Sequence, residues 1–467
     1  MPQKNILGGR REFLCALAGA LALAKDSTSS PLSHASPLPR ASFSPNLDDT
    51  FILNEYGRRC FRYFVEQANG NTGLVLDRAG ADGSVPKHPV ASVAATGFGL
   101  TALCLGVERG WIRAEDARDR IVTTLRFLRY EAPHIHGFFL HFMNAATGEP
   151  RLHSEISSID TGVLLAGILT AAEYFASDPE ISRLAREIYS RVDFTWMLDG
   201  HSLLLSHGYR PGDGFLPYRW DRYSEASVLY MLAIASPTHA IPGKSWYAWK
   251  RPLVRYQNWS FISGGPLFTH QFSHAWLDFR VVRDADGMDY FRNSVVATYA
   301  HRDFCLKLRH KFPEFGPNLW GVTVSDSPTG YVAWGGPPIE GPINGTIVPC
   351  AAAGSLMLAP EICLPVLREM LTRYGGNVYG RYGLADAFTP NWNGDKVWID
   401  SDVIGIDVGI SLLSLDNLQT GNTWKWFMRS PYVQNGLRKA RFYSSTAAPS
   451  TDWSQRLALA GPVSFSR

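Results

Sequence analysis

The sequence has 467 residues, 45% of them apolar and 19% charged, so a large core is within reach and a disordered chain is excluded. The formal net charge is only +3 and the basic residues form no stripe, which argues against nucleic acid and against a charged membrane surface as partners. Aromatic residues make up 12%, with 14 Trp, a level that suits stacking on flat ligands as well as a large core.

Residues 1–25 read as an export signal. Arg10-Arg11 is followed by a short apolar run, Phe13 to Ala24, that ends in small residues and is too short to span a bilayer. Paired arginines point to the bacterial twin-arginine route, hence to a periplasmic or secreted protein. Residues 26–46 are Ser/Pro-rich and are expected to be a flexible tether, and residues 444–467 a weakly structured tail. Residues 47–443 carry no linker and no charge block. They are expected to form one domain, monomeric and without membrane contact once the signal is removed. Cys15 lies in the leader. Cys60, Cys104, Cys305, Cys350 and Cys363 show no C-x-x-C and sit on apolar or small-residue stretches, which favours buried thiols and leaves one disulfide open.

Within the domain, apolar runs of helical period recur roughly every 25–40 residues. They predict helices over 50–66, 91–109, 114–130, 158–175, 179–197, 225–236, 268–281, 290–311, 349–358, 360–373 and 407–419. Strand-like pieces are short: 138–142, 203–209 and 321–324. A long series of paired helices implies an all-α toroid of helical hairpins, with loops converging on one end to build a cleft.

The unusual residues fall in those loops. Glu225 opens the apolar run Val228 to Ile234, and a carboxylate there is costly without a partner or a task. It is a cap of the first helical turn or a catalytic acid. Asp160 in Ser157-Ser158-Ile159-Asp160 is either an N-cap or a cleft carboxylate. His270, His274 and Asp278 recur at i, i+4, i+8, which suggests the hydrogen-bonding wall of a polar cleft; without H-E-x-x-H or a cysteine partner a metal site is set aside. Turn-rich loops carry Asp326 and Tyr331, then Asp386 and Trp392. A third loop packs Asp400, Asp402 and Asp407 ahead of an apolar helix, without EF-hand spacing for calcium. No G-x-S-x-G, P-loop or dinucleotide fingerprint is present. What remains is a cleft rich in carboxylates, aromatic rings and His, the equipment of glycoside hydrolysis.

Several blocks then become recognisable in order: Asp221-Arg-Tyr-Ser-Glu225, Leu232 to His239, Ser245-Trp-Tyr-Ala-Trp249, Pro266 to Arg280, Asp289 to Ser294, Trp320 to Tyr331, Gly345 to Pro349, Tyr382 to Phe388, and Gly405-Ile-Asp-Val-Gly409. Together they resemble the bacterial endo-β-1,2-glucanases and their glucoamylase-like relatives, over about residues 50–440. The resemblance implies an (α/α)6 toroid, no cofactor and no metal, and inverting hydrolysis of β-1,2-linked glucan, endo-acting. It matches Glu225 to the general acid, Asp407 to the base and Asp160 to a cleft carboxylate, with Asp400 and Asp402 as further candidates for the base. Phe272, Thr389 and Val408 depart from the family's usual Tyr, Asn and Gln. Trp220, Tyr223, Trp276, Trp334 and Trp392 are expected to stack on sugars. Arg222, His270, Gln271, His274 and Asp326 are expected to meet hydroxyls, and Tyr331, Asp386, Asp400 and Asp402 to line the subsites. The expected partner is an oligo- or polysaccharide. An exo-acting or transglycosylating enzyme and a non-catalytic glucan-binding protein are the competing readings.

Overall fold

Helices that are apolar on every side alternate along the chain with helices that are apolar on one side only. In the computed structural model, which describes residues 48–445 apart from 264, 338–340, 393 and 395, this alternation separates an inner from an outer layer. The expected signal and tether, and nearly all of the expected tail, lie outside the described residues.

In chain order the helices are α1 (Asp49–Glu66), α2 (Val93–Glu108), α3 (Ala114–Tyr130), α4 (Ser158–Tyr174), α5 (Pro179–Ser190), α6 (Ser227–Ala235), α7 (Phe272–Trp276), α8 (Tyr290–Lys307), α9 (Pro349–Ala353), α10 (Pro360–Val378), α11 (Gly405–Gln419), α12 (Asn422–Arg429) and α13 (Pro431–Lys439). The inner ring runs α2–α4–α6–α7–α11 and back to α2, with α9 packed on α11. Around it stand α1, α3, α5, α10 and α13. This is the expected toroid of helical hairpins, the (α/α)6 architecture.

The two layers follow from the side chains. In α4, Leu164, Leu165, Ile168 and Leu169 are buried around the whole circumference. In α3, the buried residues Ala117, Ile121, Leu125 and Leu128 recur three to four apart, while arginines face outward. Each buried leucine or isoleucine contributes roughly 1.5–3 kcal/mol, so the inner ring is the main store of stability. Where α2 crosses α4 the backbones touch: a Cβ on Gly97 would lie 2.5 Å from the Val163 carbonyl oxygen, and one on Gly167 would lie 2.0 Å from that of Gly97.

Short strand pairs tie the loops together at the ring's mouth. Arg78–Gly80 pairs with Asp402–Ile404, Val90–Ser92 with Phe142–Asn144, and Ile156–Ser157 with Gly208–Arg210. The expected strand over 138–142 is therefore two strands with different partners, because Leu140 bridges to Ile156 and the chain bends at His141 between them. Those expected over 203–209 and 321–324 shrink to Gly208–Arg210 and Val324–Ser325. The expected helix over 268–281 breaks into a 3-10 turn (Leu267–His270) and the short α7, so His270, His274 and Asp278 do not share one helical face. Asp278 instead forms a salt bridge with Arg280 at 2.8 Å. Helices α12 and α13 were not expected. Their apolar positions are spaced on one face among polar residues, Gly421 at φ 66° separates α12 from α11, and Pro431 starts α13. Tyr443–Ser444 pairs with Val282–Arg283, so order runs one residue past the expected boundary at 443. All five cysteines of the described chain are buried free thiols.

Candidate active site

A cavity of about 110 Å³, open to solvent, lies where several inner helices begin. Ala94 of α2, Asp160 of α4 and Asp407 of α11 line it from first turns. Such ends present positive dipole and free N–H groups, which favours carboxylates. Glu225 completes the lining just ahead of α6, with Trp220, Tyr331, His141 and Glu155.

Glu225 is not in a helical turn. The cap position of α6 is Ala226, with no side-chain cap. Glu225 therefore does not occupy the cap position, and the residue, 7% exposed, lines the cavity. Its backbone is pinned by Ser273: the hydroxyl donates to the Glu225 carbonyl and accepts from the Val228 N–H at 2.9 Å.

Asp160 is not the N-cap either. Ser157 takes that place, accepting from the Asp160 N–H at 3.2 Å and donating its hydroxyl to Asp160 Oδ2 at 2.5 Å. This is the first half of a capping box; the Asp160 carboxylate accepts the Ser157 hydroxyl, where a full box would have it accept the Ser157 N–H. His141 stands between two carboxylates, with Nδ1 3.2 Å from Glu155 Oε1 and Nε2 3.7 Å from Asp160 Oδ1. Burial alone would push the imidazole down, yet Asp160 and Glu155 raise it to about 9, so it is a cation at neutral pH. Burial raises the Asp160 carboxyl, His141 and Ser157 oppose the rise, and the charges of Glu155 and Glu225 add to it.

Asp407 has different company. Gly405 and Gly409 let its helix approach closely: a Cβ at Gly405 would lie 2.8 Å from the Leu76 carbonyl oxygen, and one at Gly409 2.4 Å from the Phe98 ring. Burial pushes Asp407 up to about 6, against hydrogen bonds from Asp386 and Cys350. Behind it lies a knot of acids around Arg78. The guanidinium donates to Asp326 Oδ2 at 2.6 Å and Asp77 Oδ2 at 3.2 Å, and lies 3.8 Å from Asp402. Burial, with like charges nearby, pushes Asp400 up to about 8 and Asp386 well above the carboxylate range. Burial and the neighbouring acids likewise push the Tyr331 phenol up, which keeps it protonated.

The structure thus brings Asp160, Trp220, Glu225, Tyr331 and Asp407 to one cavity and sets Asp326, Asp386, Asp400 and Asp402 one layer behind. Other expected ligand contacts are corrected. Trp276 is fully buried against Phe98 and donates its indole N–H to Thr101, so it has no face for a sugar. Tyr223 packs among Trp249, His270 and Tyr290. The Gln271 amide is spent on the Ala351 carbonyl and the Ser355 hydroxyl. His270 and His274 both meet the Ser294 hydroxyl, together with Tyr223 OH, in a buried polar knot rather than a cleft wall. Burial lowers His274 to about 3, so it stays neutral. Trp334 is buried behind the hairpin 324–333 with its N–H on Ser325. Arg222 and Trp392 are half-buried and stand outside the cavity lining. Trp220 keeps its place there: one face stacks on His207 at 3.8 Å and its N–H goes to Ser158.

Sequence reasoning missed His141, Glu155 and Arg78. His141 sits inside an apolar Phe-Phe-Leu-His-Phe run, and only the pairing of 140 with 156 sets it beside Glu155. Two groups have ligand atoms close enough for a metal ion, within 4.8 Å of one another: His141/Glu155/Asp160 and Asp326/Asp386/Asp400. In the first, His141 itself stands against both carboxylates; in the second, Arg78 holds Asp326 alone of the three.

Comparison with known proteins agrees with this architecture. The family described as "Putative glucoamylase" matches residues 217–431. A solved structure from Bacteroides fragilis with the same description is 30% identical, covers 88% of this chain and 100% of its own, and superposes with a TM-score of 0.79. The chain belongs to the glucoamylase-like glycoside hydrolase family. Another family structure is the endo-β-1,2-glucanase of Chitinophaga pinensis, in complex with sophorotriose and glucose. It is 28% identical over 85% of this chain and 99% of that one, with a TM-score of 0.79. The exo β-1,2-glucooligosaccharide sophorohydrolase (non-reducing end) of Parabacteroides distasonis is 25% identical over 433 residues. That match covers 84% of this chain, which spans 58% of that relative's length. Among the described residues of this glucoamylase-like chain, no helix is long and apolar enough to cross a membrane.

Proposed function

We propose that this member of the glucoamylase-like family hydrolyses β-1,2-linked glucan with inversion, cutting within the chain. Glu225 acts as the general acid and Asp407 as the base that activates water. The observation that carries the reading is that Glu225 and Asp407, 182 positions apart in the sequence, line one solvent-open cavity beside the ring of Trp220. Two carboxyl groups flanking a sugar-binding hollow are what glycosidic cleavage requires: one protonates the leaving oxygen, the other takes a proton from water.

The choice of base rests on the two walls. Asp160 has one oxygen bound by Ser157 and the other facing the His141 cation, which suits a carboxylate that stays charged and fixed. Asp407 is held by no basic side chain at contact distance, and a raised carboxyl is a better proton acceptor. Asp160 then acts as an electrostatic and hydrogen-bonding wall of the subsite.

Incubation with linear β-1,2-glucan and a panel of other glucans tests the substrate. New reducing ends only with the β-1,2 polymer are expected; equal release from another linkage refutes the proposal. Proton NMR of the earliest product should show the α anomer, and a β product would refute inversion. The named activity of the Parabacteroides relative favours a second reading, exo release of disaccharide. A ladder of oligosaccharides supports endo cleavage, whereas one short product supports exo. We also propose export by way of residues 1–25, which cleavage at the small-residue site in a bacterial host would test.

A further inference from the structure

The acids behind Asp407 pose a problem that the chain's own donors do not solve. Asp386 and Asp407 are 4% and 8% exposed, and their side chains are in contact. Asp386 Oδ2 accepts the Asp326 N–H at 2.8 Å, but Asp386 Oδ1 and Asp407 Oδ2 are both buried without a donor. The two side chains also share a hydrogen bond, and two carboxyl groups can do so only if one of them carries a proton. Arg78 does not supply the missing donor, because it is spent on Asp77, Asp326 and Asp402. On the far side Asp400 uses Oδ1 on the Asp402 N–H, at 3.2 Å, and its Oδ2 is likewise buried without a partner, so it supplies no donor to either acid. Tyr331 and Cys350, the remaining titratable neighbours, are held protonated by burial.

We propose that Asp386 is a neutral carboxylic acid at working pH, and that it positions Asp407 for the reaction by donating its hydroxyl proton to it. This deepens the function proposed above and rests on Asp407 being the base. Asp386 reaches the reaction only through Asp407. It aims the accepting oxygen and limits how far burial raises its proton affinity. The hydrogen bond the two share raises Asp386 and lowers Asp407, the directions expected when the proton lies on Asp386.

The test uses the full chain and three variants, with circular dichroism checking each fold. Asp407→Asn examines the underlying reading and should abolish hydrolysis. Asp386→Asn keeps an N–H where the O–H stood; it should stay within about tenfold of wild type, with the acid limb of kcat/KM unmoved. Asp386→Ala should lose roughly 100-fold in kcat with little change in KM, and its acid limb should move to higher pH, because the hydrogen bond that favoured ionised Asp407 is gone. An acid limb that moves to lower pH in both variants would mean Asp386 is charged, and overturns the proposal. So does an unmoved limb in a folded Asp386→Ala. Infrared difference spectra of wild type against Asp386→Asn at pH 7 should lose a protonated-carboxyl band; its absence from the difference also overturns the proposal. That readout decides the matter if the alanine variant does not fold. Inactivation by a chelator with recovery on adding a divalent cation would likewise overturn it, because a bound cation would hold Asp386 ionised. If Asp407→Asn remains active, the base assignment falls, while the infrared band still reports the proton on Asp386.

Discussion

The two walls of the cavity contain the same residue type and handle its charge in opposite ways. On one wall, a histidine between Asp160 and Glu155 takes up a proton, holds Glu155 below the usual range and opposes the rise that burial gives Asp160. On the other, a permanent guanidinium sits on Asp326 and Asp77, and burial raises the carboxyls of Asp407 at the cavity and of Asp386 and Asp400 one layer behind it. The first wall is a fixed anion with its own counter-ion. The second is a set of carboxyls with raised proton affinity, which is what a group that must accept a proton near neutral pH needs. Position relative to a basic side chain, and not residue type, separates a charge-holding carboxylate from a proton-accepting one.

Substitutions can break or sharpen this contrast. The largest effect is expected at Glu225, which belongs to neither wall: Glu225→Gln should cut turnover by about 10³-fold or more while circular dichroism stays unchanged. Near-normal turnover would remove Glu225 from the acid role. Next comes the direct comparison of the walls. Asp407→Asn should cost about tenfold more in kcat than Asp160→Asn, and the reverse order would exchange their roles.

Smaller effects concern stability, and the two walls differ in their pH windows. The His141 imidazole is raised to about 9, so its contribution is fully present below its unfolded value near 6.5 and lost as pH rises through about 9. Wild-type Tm should fall by several degrees between pH 7 and 9, and His141→Gln should flatten that fall. Asp400, raised from 3.8 to about 8, favours the folded state most at low pH; that advantage is lost as pH rises from about 4 through 8. Asp400→Asn should therefore raise Tm at pH 8 by roughly 5 °C and change little at pH 5. An equal effect of the substitution at both pH values would show that Asp400 is ionised throughout.

Much of the architecture was legible from local pattern. Inner helices such as Val93–Glu108 and Ser158–Tyr174 announce themselves by leaving no polar face, and outer ones such as Ala114–Tyr130 by a one-sided apolar stripe. Glu225 stood out because a carboxylate beside a fully apolar run is expensive to bury without a purpose, whereas Asp407 was separated from Asp400 and Asp402 only by the family resemblance. Local pattern was weakest for the aromatic and histidine residues. Trp220 and Trp276 are alike as residues, but one lines the cavity and the other is sealed by Phe98 and Thr101. Likewise, His274 is pressed neutral against Ser294, while His141 is charged between two acids.

By itself, then, the order of residues determined the ring of helices and marked Glu225 as a costly carboxylate, because hydrophobic period and the cost of a buried charge are properties of short stretches. Tertiary structure decided which partners each charge has. His141 meets Glu155 through strand register, and Arg78 meets Asp326 and Asp402 from segments more than 200 positions away. Proton affinity depends on such through-space neighbours within a few ångströms, and no local pattern contains them.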